Sequence, residues 1–118
     1  MSKPAIVTLD DQYKGDTYDG VQFTLLNTED SSPIDLTGVI MKTQFRYVSK
    51  KGSIEKEITT GDGITILDAV NGIFKIDSFT IDWAPAVYYY DIEMTFSSGI
   101  IRTYIEGTIK VAQDVTYG

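Results

Sequence analysis

Apolar and polar positions alternate along this chain with a period of two. Val39, Met41, Thr43, Phe45 and Tyr47 fall on one side of a run whose other side carries Lys42, Gln44 and Arg46. Tyr88, Tyr90, Ile92, Met94 and Phe96 alternate with Tyr89, Asp91, Glu93 and Thr95. Ile101, Thr103, Ile105, Gly107, Ile109 and Val111 alternate with Arg102, Tyr104, Glu106, Thr108 and Lys110. Neighbouring side chains of a strand point to opposite faces, so each run predicts a strand with one buried and one wet face. No long stripe of helical spacing accompanies them.

Turn residues separate these runs at short intervals. Lys14-Gly15-Asp16 precedes a strand around Val21 to Leu26, and Thr28 to Pro33 is a loop by composition. Ser49-Lys50-Lys51-Gly52 predicts a hairpin into Ser53–Thr59, with Gly52 suited to a positive φ. Gly61-Asp62-Gly63 leads into Ile64–Leu67, Asn71-Gly72 opens Ile73–Asp77, and Ser97-Ser98-Gly99 closes the last long hairpin. The one interruption is Ser78 to Pro85, where residues 78–84 predict a single short helical turn that Pro85 stops. Its Phe79, Ile81 and Trp83 are expected to plug an open end of the core. The whole predicts an all-β fold, an antiparallel immunoglobulin-like β-sandwich of about eight strands. One domain spans residues 1–118, with 1–12 an N-terminal arm or first strand.

Composition narrows the chemistry. There is no cysteine and no histidine, which removes disulfides, thiolate metal sites and thiol nucleophiles, and also the commonest general base. The start is polar and leads into five apolar residues, Ala5 to Leu9, too few for a secretory signal. No apolar stretch is long enough to span a membrane. The chain is therefore expected to stay in the cytoplasm where it is made, unless a larger assembly carries it out.

Ten Lys and Arg against seventeen Asp and Glu give a net charge of −7, which disfavours nucleic acid as a partner. The charge is uneven: residues 1–37 hold a balance of −5. Between residues 42 and 56, Lys42, Arg46, Lys50, Lys51 and Lys56 face only Glu55, a balance of +4. A basic hairpin on an acidic body suits an acidic neighbour, including another copy's N-terminal region. The same lysines also serve to keep edge strands from aggregating.

Carboxylates are the only plentiful reactive groups. Asp10, Asp11, Asp16 and Asp19 crowd ten residues and Asp62 sits between glycines, but no calcium-loop spacing is present. Aspartates beside Gly, Ser and Thr read as turn formers, so no metal and no cofactor is expected. A glycosidase needs one carboxyl of raised pKa in a cleft, whereas the acids here sit in turns or on wet strand faces; Asp91 and Glu93 share one. Gly61-Asp62-Gly63 precedes a strand, so no phosphate loop forms. No enzyme and no catalytic residue is expected.

The eight tyrosines suggest contact instead. Tyr88-Tyr89-Tyr90 displays Tyr89 opposite its neighbours, close to Tyr104 if the two strands pair as a hairpin. Exposed tyrosines suit protein interfaces and also stack on sugars, while a cross-strand aromatic pair would stabilise the sheet alone. The interface candidates are Lys42, Arg46, Lys50, Lys51, Tyr89 and Tyr104.

Three stretches carry a family resemblance: Lys14-Gly15-Asp16-Thr17-Tyr18, Ile34-Asp35-Leu36-Thr37-Gly38 leading to Phe45-Arg46, and the C-terminal run. That run holds Tyr89-Tyr90-Asp91-Ile92-Glu93, a Ser98-Gly99 turn, Glu106-Gly107-Thr108-Ile109 and Asp114-Val115-Thr116. Together they resemble the N-terminal domain of baseplate upper proteins of tailed bacteriophages, over about Lys14 to Thr116. In the sharpest piece, Asp35 or Thr37 caps a corner that Ile34 and Leu36 anchor. The chain stops at Gly118, without the family's long C-terminal region.

The resemblance implies a non-catalytic structural module of the virion, on the tail, baseplate, fibre or capsid, assembled in the bacterial cytoplasm. Its partners would be other virion proteins and copies of itself. The alternative is a glycan-binding module that contributes to adhesion to the host surface.

Overall fold

The structure, a computed structural model, describes residues 4–113. The Asp114-Val115-Thr116 part of the resemblance and residues 1–3 lie outside them. The described chain is all-β. Its strands are β1 (Ala5–Ile6), β2 (Gln12–Tyr13), β3 (Thr17–Tyr18), β4 (Val21–Thr24), β5 (Ile40–Tyr47), β6 (Ile54–Thr60), β7 (Gly63–Asp68), β8 (Ile73–Ile76), β9 (Phe79–Thr80), β10 (Ala86–Thr95) and β11 (Ile101–Ala112).

The period-2 runs become the large layer, in the order β1-β11-β10-β5-β6, with β2 further along β11. The same nine-stranded sheet continues through β6 into β7-β8-β4, the small layer, while β3 and β9 form a separate two-stranded sheet. Strands joined by hairpins pair antiparallel, as alternation requires, whereas β1 and β2 lie parallel to β11. The layers connect at Gly61-Asp62-Gly63. There the chain makes a tight loop and continues in the same direction, so Thr59 and Thr60 lie beside Gly63 and Ile64. Both glycines have positive φ, 85° and 105°, which a side chain would resist. The sheet curls here, so that β7-β8-β4 form the second wall of an immunoglobulin-like β-sandwich.

A second mark of that architecture is Tyr88 at the start of β10. Its phenol donates to the carbonyl of Ala84, four residues upstream, at 2.6 Å. The inward faces of both layers form one core, with Phe45 stacked on Tyr90 at 5.6 Å and close to Trp83 at 5.3 Å. Phe23 and Phe74 stack at 5.2 Å in the small layer.

Residues 78–84 do not form the expected helical turn. Phe79–Thr80 is a strand paired with β3, Gly15 donates to Ile81 O at 2.6 Å and Ile81 donates to Asp16 O at 2.9 Å. The backbone groups that a helical turn would use locally are taken by residues 15–18. Phe79, Ile81 and Trp83 then turn inward together because a strand, like their spacing, has a period of two.

The N-terminal segment is a first strand. Val7 and Leu9 donate to Glu106 and Thr108 carbonyls, each at 2.9 Å, between β1 and β2. Gly107 permits this approach: a Cβ there would lie 1.9 Å from Val7 O. The same carbonyl accepts the buried Tyr90 hydroxyl at 2.7 Å.

Gly52 also differs from expectation. The left-handed residue of the β5–β6 hairpin is Val48, with φ 68°, and Gly52 does not have a positive φ. Gly52 is needed for space, since a Cβ would sit 1.9 Å from Tyr47 O.

Candidate functional site

The outward face of the large layer gathers most of the predicted site residues. In β10 and β5, Tyr89 lies opposite Arg46, Asp91 opposite Gln44 and Glu93 opposite Lys42. On the other side of β10, Tyr89 lies opposite Thr108 and Asp91 opposite Glu106. A shallow depression of about 170 Å³ forms there, lined by Gln44, Arg46, Lys50, Tyr89, Asp91 and Glu106.

Its polar groups are held by one another. Arg46 donates to Gly52 O at 2.9 Å and to Gln44 Oε1 at 2.7 Å, and Gln44 donates to Glu57 Oε2 at 2.5 Å. Lys50 Nζ reaches Glu106 Oε2 at 3.5 Å. Asp91 has its carboxyl raised above the usual range, although the side chain reaches solvent. Partial burial is the main cause, followed by the charges of Glu93 and Glu106, while Arg46 and Lys42 act against it.

The basic hairpin therefore does not stand apart as a cationic patch. Lys42 faces Glu93 across the strands, Lys50 is paired with Glu106, and Lys56 places Nζ 4.8 Å from the Phe79 ring centre. Lys51 is left at the tip, exposed and without an ion-pair partner among the described residues. Glu106 is the residue that sequence reasoning missed. Its pairing with Asp91 was available in principle from the hairpin register, but its contact with Lys50 crosses β10 from the β5–β6 turn to β11.

The expected neighbourhood of Tyr89 and Tyr104 is not formed. Tyr89 lies opposite Thr108, four residues along β11 from Tyr104; beyond it, a bulge leaves Ile105 opposite Ile92 and Thr103 opposite Glu93. Tyr104 is the extra residue, and its ring meets Phe96 edge-on at 6.2 Å. It lines a different depression, of about 470 Å³, with Asp35, Thr37, Phe96, Ile100 and Arg102.

Asp30, Asp35 and Asp68 do turn work. Asp35 accepts from the Thr37 hydroxyl at 2.6 Å and amide at 2.9 Å, which holds its carboxyl below the usual range. Asp30 does the same for Ser32, and Leu36 is fully buried beneath the corner. Asp82 is lowered by Lys14, which donates to it at 2.7 Å. Among the described residues, no three carboxylates converge as a metal site would require.

No protein-family model matches the chain, and no curated protein sequence matches it. Among solved structures, the chain is similar to CopC from Methylosinus trichosporium OB3b, with TM-score 0.45 and 11% identity over 90% of this chain and 89% of that one. It is also similar to a family 123 glycoside hydrolase from Clostridium perfringens, with TM-score 0.35 and 13% identity. That match covers 93% of this chain and 24% of the hydrolase. At these values neither neighbour informs the activity or partners of this chain.

Proposed function

We propose that this chain is a non-catalytic structural module of a tailed-phage virion that acts through protein–protein contacts in a symmetric assembly. The phage setting comes from the resemblance described above. Contact as the mode of action rests on one observation: large apolar side chains are exposed in groups at the two ends of β5. Tyr47, Val48, Ile54 and Val87 lie at one end, and Ile40, Ile100 and Ile101 at the other. Single exposed apolar residues are ordinary, whereas groups of them mark interaction surfaces. On the outward face, by contrast, Gln44, Arg46, Lys50, Glu57 and Glu106 hold one another or the hairpin backbone.

The experiment is quantitative mass spectrometry of phage particles purified on a density gradient. The chain is expected as a component of fixed stoichiometry, and its absence from intact particles overturns the reading. Glycan binding is the second reading, supported by Tyr89 beside polar side chains in the depression on the sheet face. Its volume of about 170 Å³ is below the range of about 300–1,000 Å³ usual for ligand pockets, which favours the first reading. Calorimetric titration with host polysaccharide separates the two: saturable heat that Tyr89→Ala abolishes would favour the glycan reading.

A further inference from the structure

We infer that copies of this chain associate head to tail, the tip of the β5–β6 hairpin of one copy seating in the depression at the far end of the next. This deepens the contact reading above and rests on it. The register places the two surfaces at opposite ends of β5, since Tyr47 pairs with Tyr88 and Ile40 with Thr95. The domain is elongated, 49 × 26 × 23 Å.

The tip is a rigid apolar knob. Val48 is 54% exposed and takes a left-handed conformation that β-branched residues avoid. Its neighbours hold it there: Val48 donates to Val87 O at 3.0 Å, Ser49 to Tyr47 O at 2.8 Å and Gly52 to Ser49 O at 3.0 Å. Strain kept in an exposed turn that is hydrogen-bonded on both sides of its lysines is preorganisation for contact. Between Val48 and Ile54 the only charges are Lys50 and Lys51, and Lys51 has no ion-pair partner among the described residues.

The receiving end is a shallow, open depression with carboxylates around it. Of about 470 Å³, it has the Phe96–Tyr104 pair and Ile100 as apolar lining. Asp35 and Arg102 line it, Glu29 lines an adjoining depression that shares Arg102 and Tyr104, and Asp68 precedes Ala69, whose carbonyl accepts from Leu36. Apolar knob against apolar hollow, and lysine against carboxylates, are complementary in shape and sign. The two surfaces differ, so the contact is heterologous and builds a ring or an open chain rather than a two-fold dimer.

Sedimentation velocity on the full chain over a wide concentration range tests this. Wild type is expected to show particles that grow with concentration or settle at a ring larger than a dimer, and added salt should weaken them. Lys51→Glu is expected to remain monomeric. Val48→Gly is also expected to remain monomeric while its melting temperature stays level or rises, because glycine accepts the left-handed conformation. A wild type that is monomeric throughout, a species that stops at two copies, or association unchanged by both substitutions overturns the inference. A monomeric chain that is still stoichiometric in purified particles would reject head-to-tail docking alone and leave the contact reading standing.

Discussion

The two edges of the large layer use the same device to opposite ends. At the β11 edge, Gly107 leaves room for Val7 O, and the first strand closes over the sheet. At the β5–β6 edge, Gly52 leaves room for Tyr47 O, and the hairpin closes into a tight tip. In both places a Cβ would meet a carbonyl oxygen at 1.9 Å. The first approach satisfies a buried phenol and two amides, so it serves stability. The second fixes Val48 in a strained, solvent-facing position, so it preserves an exposed apolar surface. The difference separates parts of a fold that hold it together from parts that it holds out.

Gly107→Ala should break the comparison most severely. It displaces the first strand and strands the Tyr90 hydroxyl, at a cost of about 3 kcal/mol, measurable by urea denaturation. Tyr90→Phe should cost about 1 kcal/mol by the same measurement, because it removes only the hydrogen bond.

Alkaline titration tests the closed interior. Burial pushes the Tyr18 and Tyr88 phenols up to about 12 from 10.0 and raises Tyr90 further. The folded state then keeps protons that the unfolded chain releases above pH 10. Stability is therefore full below pH 10 and falls as pH rises through about 12, with unfolding followed by circular dichroism.

Gly52→Ala should cost about 2 kcal/mol and loosen the tip, seen as faster amide exchange confined to residues 47–54. Thr43→Val should sharpen the contrast with the interior, since Thr43 is fully buried and its hydroxyl has no partner. A gain of about 1 kcal/mol in thermal or chemical denaturation is expected.

The smallest effect belongs to the outward face. Asp91→Asn should raise stability at neutral pH, where the raised carboxyl of Asp91 is ionised at a cost. For wild type, the contribution of Asp91 is present below the ordinary carboxylate value of 3.8 and is lost as pH rises through the raised one, so the advantage of the variant should vanish in acid.

Much of this architecture can be read from alternation alone. The inward faces of β5 and β10, from Met41 to Phe45 and from Tyr88 to Met94, are buried where the pattern puts them. So is the Asp35 corner, because an aspartate two residues before Thr37 makes its bonds locally. What could not be read depends on distant partners. Phe79, Ile81 and Trp83 suit a strand or a short turn until residues 15–18 supply hydrogen bonds.

The basic segment is separate along the sequence, but in space Lys50 pairs with Glu106 and Lys42 lies opposite Glu93. Tyr89 and Tyr104 part because the hairpin register sets Thr108 opposite Tyr89, four residues along β11 from Tyr104. Gly107 occupies an ordinary inward position in the alternation, and nothing local announces that Val7 will lie against it.

Chemical cross-linking between isotopically distinguishable copies tests the central claim, contact through the ends rather than chemistry on the face. Light and heavy chains are mixed, joined with a zero-length carbodiimide and mapped by mass spectrometry. Inter-copy links should join Lys51 to Glu29, Asp30, Asp35 or Asp68. Inter-copy links confined to Lys42, Glu93 and Glu106, or none at concentrations where the chain associates, would contradict it.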